Sequence, residues 1–282
     1  MMSKDINIGL INFTNCLPIN YSFYKWNYEG IILKEGYPSL INELMYNEKI
    51  HAAPISSVEY LKNKDKYTLI DTICISSDGE AGSVILFSNY ELEKLAGKTI
   101  AVPYTSASSI ALLKILLNEY SDLNTVKFQV HKYETTLEEA LKNQYDAILY
   151  IGDPALIANI KYKDEIFKKY DLGKCWKELT GYPMVFGTWA ALSSWKSLNE
   201  NKNKNDFEQV KFLLNKAVES GLNMYFNEII NLALKNLNFN LNLSNANYIK
   251  NYLTENIKYN FTENHKKGLE LFETLYFKTK NI

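Results

Sequence analysis

Polar residues occupy four places where a predicted strand gives way to a predicted helix. These junctions are Asn15-Cys16-Leu17-Pro18, Ser56-Ser57-Val58-Glu59, residues 104–109 (YTSASS) and Gly152-Asp153-Pro154. The first backbone N–H groups of a helix have no partner within the helix, and they lie at the positive end of its dipole. Such a helix start suits an anion or an oxygen-rich ligand. The four junctions therefore predict a binding site for a small molecule of that kind.

The elements around these junctions alternate between strands and helices. Strand-like runs cover residues 6–13, 31–35, 51–55, 67–76, 83–88, 99–103, 126–130 and 145–151. Such alternation is typical of parallel sheets, in which ligands bind beyond the carboxyl ends of the strands. All four junctions lie at carboxyl ends of predicted strands. The pattern therefore places them on the ligand-binding side of an α/β fold.

The predicted units fall into two lobes. A second set of βα units begins near residue 90, and from about residue 193 the chain is helical. We predict an α/β fold with parallel-rich sheets, in which lobe 1 comprises residues 1–89 and 191–282 and lobe 2 comprises residues 90–190. The C-terminal helical segment is expected to pack against lobe 1. The ligand cleft is expected between the lobes.

Local signals predict how individual helices begin and end. Pro18 suits a first helical turn, because proline has no N–H to lose and its φ angle is preset. Ser56 and Glu59 have the spacing of a capping box. Asp153 is predicted to be an N-cap, with Pro154 as the first helical residue. The helical stretch from residue 206 to residue 236 could be broken near Gly221.

The composition excludes several classes of protein. The net charge of −1 gives no basic field, so we expect no nucleic-acid partner. The three cysteines are widely spaced and form neither a disulfide framework nor a zinc pattern. No His, Cys, Asp and Glu cluster has metal-ligand spacing, and the sequence has no glycine-rich phosphate loop or dinucleotide motif. We therefore expect no metal and no cofactor.

The lack of arginine restricts how the protein can bind an anion, and the lack of signal-peptide and membrane-spanning patterns bears on its location. The chain contains no arginine, so a bound carboxylate must be held by backbone N–H groups, hydroxyls, amides or lysine. The start of the chain has no signal-peptide pattern, and no apolar run approaches the roughly 18 residues that span a bilayer. We expect a cytoplasmic protein without a membrane partner, either a monomer or a homodimer.

Six motifs together resemble a known enzyme family. They are Asn15-Cys16-Leu17-Pro18, residues 55–60 (ISSVEY), residues 83–88 (SVILFS), residues 105–109 (TSASS), residues 151–156 (IGDPAL) and residues 180–186 (TGYPMVF). In this order they resemble the chorismate dehydratase family (MqnA) of the futalosine pathway to menaquinone, over about residues 6 to 192. The resemblance implies a two-lobed fold like that of type II periplasmic binding proteins. It also implies a hydro-lyase that converts chorismate to 3-[(1-carboxyvinyl)oxy]benzoate and water.

The resemblance implies roles for particular residues. Asn15 and Ser83 are the predicted catalytic pair, with the amide of Asn15 orienting the leaving hydroxyl. Neither group is a base at neutral pH, so the enolpyruvyl carboxylate of the substrate is the predicted proton acceptor. The predicted substrate-binding residues are Ser56, Ser57, Thr105, Ser106, Ser108, Asp153, Tyr182 and Met184. Ser109 is a further candidate for a carboxylate contact.

Several of these residues also have a purely structural explanation. Ser56, Ser109 and Asp153 could serve only as helix caps, whereas Tyr182, Met184 and Trp189 could be core residues. Cys16 is expected to be a packing residue, and His51 and His131 are expected to be structural. Three rival functions share the fold pattern: a small-anion solute-binding protein, a sibling dihydroxynaphthoate synthase of the same pathway and the ligand-sensing domain of a transcription regulator.

Overall fold

The structure is a computed structural model, and it describes residues 5–120, 125–132, 135–162, 167–200 and 205–280. The chain forms two compact units. The first comprises Met1–Ser76 and Val185–Thr262, and the second comprises Ser77–Met184 and Glu263–Ile282. None of the helices within the described ranges is both long and apolar enough to cross a membrane.

The first unit is built around a six-stranded sheet. Its strands are β1 (Ile6–Ile11), β2 (Ile31–Gly36), β3 (Ala52–Ser56), β4 (Tyr67–Ser77), β10 (Met184–Leu192) and β11 (Lys258–Asn260). Its helices are α1 (Leu17–Trp26), α2 (Pro38–Tyr46), α3 (Ser57–Lys62), α8 (Ser193–Glu200), α9 (Asp206–Asn223), α10 (Phe226–Asn236) and α11 (Leu243–Asn251), with a 3-10 turn at Thr14–Cys16.

Pairing in this sheet is mixed. The strand order is β11-β4-β10-β3-β1-β2, in which β1 runs parallel to both β2 and β3. Strands β10 and β11 run antiparallel to β3 and β4, respectively. Every residue of β3 is buried, as expected for a central strand covered on both faces. The carboxyl ends of β1 and β3 and the start of β10 therefore lie at one edge of the sheet.

The second unit is built around a five-stranded sheet. Its strands are β5 (Val84–Ser88), β6 (Thr99–Pro103), β7 (Lys127–His131), β8 (Ala147–Ile151) and β9 (Lys168–Asp171). Its helices are α4 (Ala107–Tyr120), α5 (Leu137–Asn143), α6 (Gly152–Lys161), α7 (Leu172–Thr180) and α12 (Glu263–Lys280).

This second sheet is also mixed. The strand order is β7-β6-β8-β5-β9, with β6 parallel to β7 and β8, and β5 antiparallel to β8 and β9. Strand β8 is buried at every position, which matches the continuous apolar run in the sequence. The carboxyl ends of β6, β8 and β9 and the start of β5 therefore lie at one edge.

The described units differ from the predicted lobes at two points. Strand β5 pairs with β8 and β9, so residues 84–88 belong to the second unit and not to the first. Helix α12 also belongs to the second unit, where Gly268 lies so close to Pro183 that an added Cβ would be 2.4 Å from the Pro183 carbonyl oxygen. The sheets are mixed because β5, β9, β10 and β11 run against their neighbours, which periodicity along the chain does not reveal.

Candidate functional site

Asn15 lies at the carboxyl edge of the first sheet, in the 3-10 turn Thr14–Cys16 between β1 and α1. Its side-chain oxygen Oδ1 is buried and has no hydrogen-bond partner among the described residues. A buried acceptor without a partner costs about 1–3 kcal/mol, so native structures retain few of them. The Oδ1 atom of Asn15 is therefore suited to accept a hydrogen bond from a ligand.

The backbone around Asn15 is held by a distant residue. The hydroxyl of Tyr259, on β11, donates to the carbonyl oxygen of Asn15 at 2.9 Å. Tyr259 is only 5% exposed, and burial raises its pKa well above the ordinary value, so the phenol stays protonated and remains a donor. Sequence reasoning missed Tyr259, because no local pattern links it to the first junction.

Helix α1 is fixed directly after Asn15 by close packing against α9. The Ser22 hydroxyl lies 2.9 Å from the Pro18 carbonyl and 2.8 Å from the Ala217 carbonyl. A Cβ atom added to Gly221 would lie 2.1 Å from the Pro18 carbonyl oxygen. Gly221 is therefore a point of close helix contact, and the break predicted near it is present, since the next helix, α10, begins at Phe226. Helix α9 continues past Gly221 to Asn223.

Ser56 and Ser57 lie at the same edge, and both hydroxyls are already bonded within the protein. Ser56 Oγ accepts from the Glu59 amide at 3.2 Å and from Asn42 Nδ2 at 3.0 Å. Ser57, fully buried, donates to the carbonyl of Val185 at 2.6 Å. These bonds give both residues a structural role, and their contact with a ligand stays a prediction.

The predicted capping box at Ser56 is only half formed. The hydrogen bond from the Glu59 amide to the Ser56 hydroxyl is present. The Glu59 carboxylate instead accepts from the Asn63 side chain at 2.9 Å and from the Tyr67 hydroxyl at 2.8 Å. The Ser56 amide donates to Asn42 Oδ1 at 3.1 Å, so the position that Glu59 would occupy is taken by a residue of α2.

Ser83 lies at the carboxyl edge of the second sheet, immediately before β5. It is 2% exposed, and its carbonyl accepts from the Gly152 amide at 2.8 Å. Because Val84 pairs with Ile151, this bond joins the start of β5 to the end of β8. The predicted catalytic residue Ser83 and Gly152 of the fourth junction are therefore in direct backbone contact.

Asp153 is not the N-cap that we predicted. Helix α6 begins at Gly152 with Ile151 as its N-cap, and the cap has no side-chain hydrogen bond. The helix begins two residues earlier than predicted, and its first amide, that of Gly152, donates to the Ser83 carbonyl at 2.8 Å. Asp153 and Pro154 both lie inside the first turn, where a carboxylate interacts favourably with the helix dipole.

The third junction combines buried and accessible hydroxyls. Ser108 and Ser109 are buried, whereas Thr105 and Ser106 are partly exposed. Ser106 Oγ lies 2.9 Å from Ser109 Oγ and accepts from the Ser109 amide at 3.4 Å, which is the geometry of a cap at the start of α4. Thr105 and Ser106 are thus the members of this group that solvent, and hence a ligand, can reach.

Tyr182 and Met184 follow the left-handed turn at Gly181, whose φ is +76°. Tyr182 is half-buried, and Met184 is 1% exposed. Between them, the Pro183 carbonyl accepts from the Trp176 indole at 3.2 Å, and the Trp176 ring packs edge-on against Phe272 of α12. This burial favours a core role for Met184, while Tyr182 keeps an accessible surface.

Asp171 is a partly buried acid at the second edge that sequence reasoning missed. Its carboxylate accepts from the backbone amides of Ala81 at 2.9 Å and Gly82 at 2.7 Å. It also accepts from Gly173 and Lys174 at the start of α7. Burial raises the pKa of Asp171 to about 6, and the hydrogen bonds from Ala81, Lys174 and Gly82 oppose that rise.

The chemistry available at the two edges is that of amides, hydroxyls and helix starts. The described residues contain no group of three or more His, Cys, Asp or Glu that could hold a metal ion. Each edge can bind oxygen atoms through neutral donors and acceptors. Such an arrangement can orient and polarise a polyoxygenated anion.

Comparisons with known proteins agree with this description. A family model described as menaquinone biosynthesis matches residues 6–278. The chorismate dehydratase of Thermus thermophilus is 29% identical over 196 residues, which are 65% of this chain and 68% of that protein.

Solved structures show the fold. A protein of Archaeoglobus fulgidus matches with a TM-score of 0.75 at 18% identity and covers 100% of both chains. The periplasmic aliphatic sulphonate binding protein SsuA of Escherichia coli matches with a TM-score of 0.69 at 13% identity, over 100% of this chain and 94% of that one. The fold is that of periplasmic binding proteins, as the sequence predicted.

Proposed function

The chain belongs to the menaquinone biosynthesis family, and from this premise we propose that it is a chorismate dehydratase. The observation that carries the proposal is the likeness to the Thermus thermophilus chorismate dehydratase across 196 residues. The proposed reaction gives 3-[(1-carboxyvinyl)oxy]benzoate and water, so the enzyme is a hydro-lyase. We place it in the cytoplasm, with chorismate as its small-molecule substrate.

The proposed reaction breaks a C–H and a C–O bond, and it forms a ring double bond and the O–H bond of the released water. The ring carbon that bears the ether loses its proton, and the neighbouring carbon loses its hydroxyl. The electron pair of the C–H bond becomes a ring double bond, and the proton and hydroxide leave as water. Because the product ring is aromatic, the equilibrium favours it and the enzyme has only to lower the barrier.

Asn15 is assigned to the leaving hydroxyl. Its buried Oδ1 can accept a hydrogen bond from the hydroxyl and fix the direction of the C–O bond, while its NH2 group can donate to oxygen. The bond from Tyr259 holds the backbone of Asn15 in place. A preorganised amide of this kind stabilises charge as it develops on the departing oxygen.

Ser83 is assigned to the same reacting centre, as a hydrogen-bond partner of the hydroxyl or of the enolpyruvyl carboxylate. Its backbone is held by Gly152 on one side and by the loop that Asp171 binds on the other. The substrate carboxylates are assigned to the helix starts and hydroxyls, with Thr105 and Ser106 as the accessible members.

The proton acceptor is assigned to the substrate itself. Asn15 and Ser83 carry no charge that could accept a proton at neutral pH, and the oxygens of Asp171 are engaged by four backbone amides. The enolpyruvyl carboxylate can reach the neighbouring C–H bond if the site enforces that geometry. A product-bound structure tests this point. A His, Glu or Asp side chain within about 3.2 Å of the reacting carbon would contradict it.

The solute-binding alternative is not favoured. The likeness to the sulphonate binding protein is at 13% identity and shows the fold alone, whereas the family model and the Thermus thermophilus enzyme both indicate menaquinone biosynthesis.

The experiment that tests the proposed function is to incubate the purified protein with chorismate and to follow loss of one water by mass spectrometry. Release of the aromatic product supports the proposal, and binding of unchanged chorismate would instead support a transport or sensing role.

A further inference from the structure

Asp171 makes more hydrogen bonds than a helix cap requires. It ends β9 and is the N-cap of α7, where its side chain accepts from the amides of Gly173 at 3.0 Å and Lys174 at 3.1 Å. Those two bonds account fully for a cap. The other two bonds, from Ala81 and Gly82, join the carboxylate to a loop about 90 residues earlier in the chain.

The loop that Asp171 holds follows β4, runs from residue 78 to residue 83 and ends at Ser83. Gly79 and Gly82 have φ angles of +121° and +71°, in the region that other residues rarely adopt. Glycine at such positions leaves many conformations open to the free chain, so the observed one must be fixed from outside.

Two contacts from α7 fix the loop. A Cβ atom added to Gly173 would lie 2.4 Å from Ser77 Oγ and 2.7 Å from the Gly79 carbonyl, so the start of α7 lies directly against the loop. Lys177 of the same helix also forms an ion pair with Asp78 at 2.5 Å. Asp171 adds the bonds nearest to Ser83, since Gly82 is the residue before it.

We propose that Asp171 is a positioning residue that sets the backbone of Ser83 for the reaction. The Gly82 amide is held by Asp171 at 2.7 Å, and the Ser83 carbonyl is held by the Gly152 amide at 2.8 Å. The backbone of Ser83 is therefore held by two hydrogen bonds, one at the preceding amide of Gly82 and one at its own carbonyl. This inference rests on the proposed function, because it takes Ser83 to act at the reacting centre.

The two carboxylate oxygens of Asp171 accept hydrogen bonds from different backbone amides. Oδ1 accepts from Ala81, Gly173 and Lys174, whereas Oδ2 accepts only from Gly82 among the residues that the structure describes. In an Asp171→Asn variant with its oxygen in the Oδ1 position, the new NH2 group faces the Gly82 N–H. Two donors then oppose each other next to Ser83. An Asp171→Ser variant instead keeps a capping hydroxyl for α7 but is too short to hold the loop.

The test compares kcat and KM of both variants with those of the wild type, in the presence and absence of Ser83→Ala. We expect each Asp171 variant to lower kcat about 10- to 100-fold, because small misplacements of a catalytic group have effects of that size. In the Ser83→Ala background, the same substitutions are expected to lower kcat by less than about threefold, because the residue they position is already gone.

Asp146→Asn is the matched control. Asp146 accepts a backbone hydrogen bond from Thr99 at 2.9 Å, but it lies just before β8, at the opposite end of that strand from Gly152. It should retain the wild-type kcat. The inference is overturned if both folded Asp171 variants keep kcat within about twofold of wild type, or if their losses are as large in the Ser83→Ala background.

Amide hydrogen exchange separates this inference from the proposed function. If the wild type leaves chorismate unchanged, the proposed function fails, but the role of Asp171 in holding the loop is still measured. We expect the Ala81 and Gly82 amides to exchange at least about tenfold faster in Asp171→Ser than in Asp146→Asn. Equal exchange rates in the two variants would show that Asp171 does not hold this loop.

Discussion

The hydroxyl of Tyr259 donates to the backbone carbonyl of Asn15 at 2.9 Å, across 244 residues of chain. Tyr259 belongs to the short edge strand β11, which pairs with β4 at Ser76 and Ile73. The segment after α11 thus returns to the first junction and fixes the turn in which Asn15 lies. This contact gives part of the C-terminal segment a role at the candidate site.

Replacing Tyr259 with Phe should reduce both stability and turnover. The variant keeps the buried ring but leaves the Asn15 carbonyl without its donor, which we expect to lower the free energy of unfolding by about 1–3 kcal/mol. We also expect kcat with chorismate to fall about tenfold, because the amide of Asn15 is less firmly oriented. Urea denaturation and steady-state kinetics measure the two effects.

Tyr162→Phe is the control for Tyr259→Phe. The Tyr162 hydroxyl donates to Glu138 at 2.9 Å, and the residue lies at the end of α6 that is remote from the second carboxyl edge. This variant should lose some stability and keep the wild-type kcat. If Tyr259→Phe loses stability but also keeps kcat, Tyr259 has no role in orienting Asn15.

Replacing Asn15 with Ala should separate stability from activity. The substitution removes a buried oxygen that has no partner among the described residues, so it relieves a penalty as well as removing packing. We expect the free energy of unfolding to stay within about 0.5 kcal/mol of wild type or to rise, as is common when a functional residue is replaced. A loss of more than about 2 kcal/mol in urea denaturation would show that the Asn15 side chain is structural.

The contribution of His51 to stability should be lost as the pH falls below about 6.5, whereas Asp171, whose pKa is raised to about 6 in the folded state, should act in the opposite sense. Burial lowers the pKa of His51 in the folded state, and its Nδ1 accepts from the Asn7 amide at 2.9 Å. The unfolded chain therefore binds a proton at a pH where folded His51 does not, so this contribution is lost between about pH 7 and pH 5.

A His51→Asn variant tests the contribution of His51 to the pH dependence of stability. The side-chain oxygen of Asn can replace Nδ1 as the acceptor, but the group does not titrate. We expect the drop in urea midpoint between pH 7 and pH 5 to be smaller in His51→Asn than in the wild type. His265 is also buried with a lowered pKa, so some dependence should remain. An unchanged drop would exclude His51 as a source.

A Gly221→Ala variant should be destabilised, although alanine is a better helix former than glycine. The added Cβ would lie 2.1 Å from the Pro18 carbonyl, so α9 must move away from the start of α1. Overpacking of this kind costs about 1–3 kcal/mol, which outweighs the gain of about 1 kcal/mol in helix propensity. Because Pro18 follows Asn15 closely, kcat should fall as well.

Glu219→Ala provides the comparison for Gly221→Ala. Glu219 is an exposed residue of the same helix, so its replacement changes helix propensity without a backbone clash. Thermal denaturation of the two variants should show a lower midpoint for Gly221→Ala alone. A midpoint for Gly221→Ala at or above that of wild type would mean that the close contact with Pro18 is not maintained in solution.

The sequence predicted the features that depend on neighbouring residues. Proline in the first turn of α1 and the continuous apolar run of β8 are local signals, and both elements lie where they were expected. The positions of Asn15, Ser56 and the third junction at carboxyl ends of strands follow from the same alternation of strands and helices. Their roles in catalysis and substrate binding stay predictions.

The features that the sequence missed depend on contacts between distant segments. Tyr259 reaches Asn15 across 244 residues, and Asp171 reaches Ala81 across 90. The error at Asp153 also involves a distant segment, since α6 begins earlier than predicted, at Gly152, whose amide donates to the Ser83 carbonyl. No local propensity encodes which strand pairs with β5, and that pairing moves the boundary between the two units.

Conversion of chorismate by the wild type and by Asn15→Ala is the most direct test of the proposed function. Both proteins should be shown to be folded by circular dichroism, and the products should then be followed by mass spectrometry. We predict that the wild type releases water and 3-[(1-carboxyvinyl)oxy]benzoate and that Asn15→Ala is at least about 100-fold slower. A folded wild type that leaves chorismate intact, or an Asn15→Ala variant as fast as the wild type, would contradict the assignment.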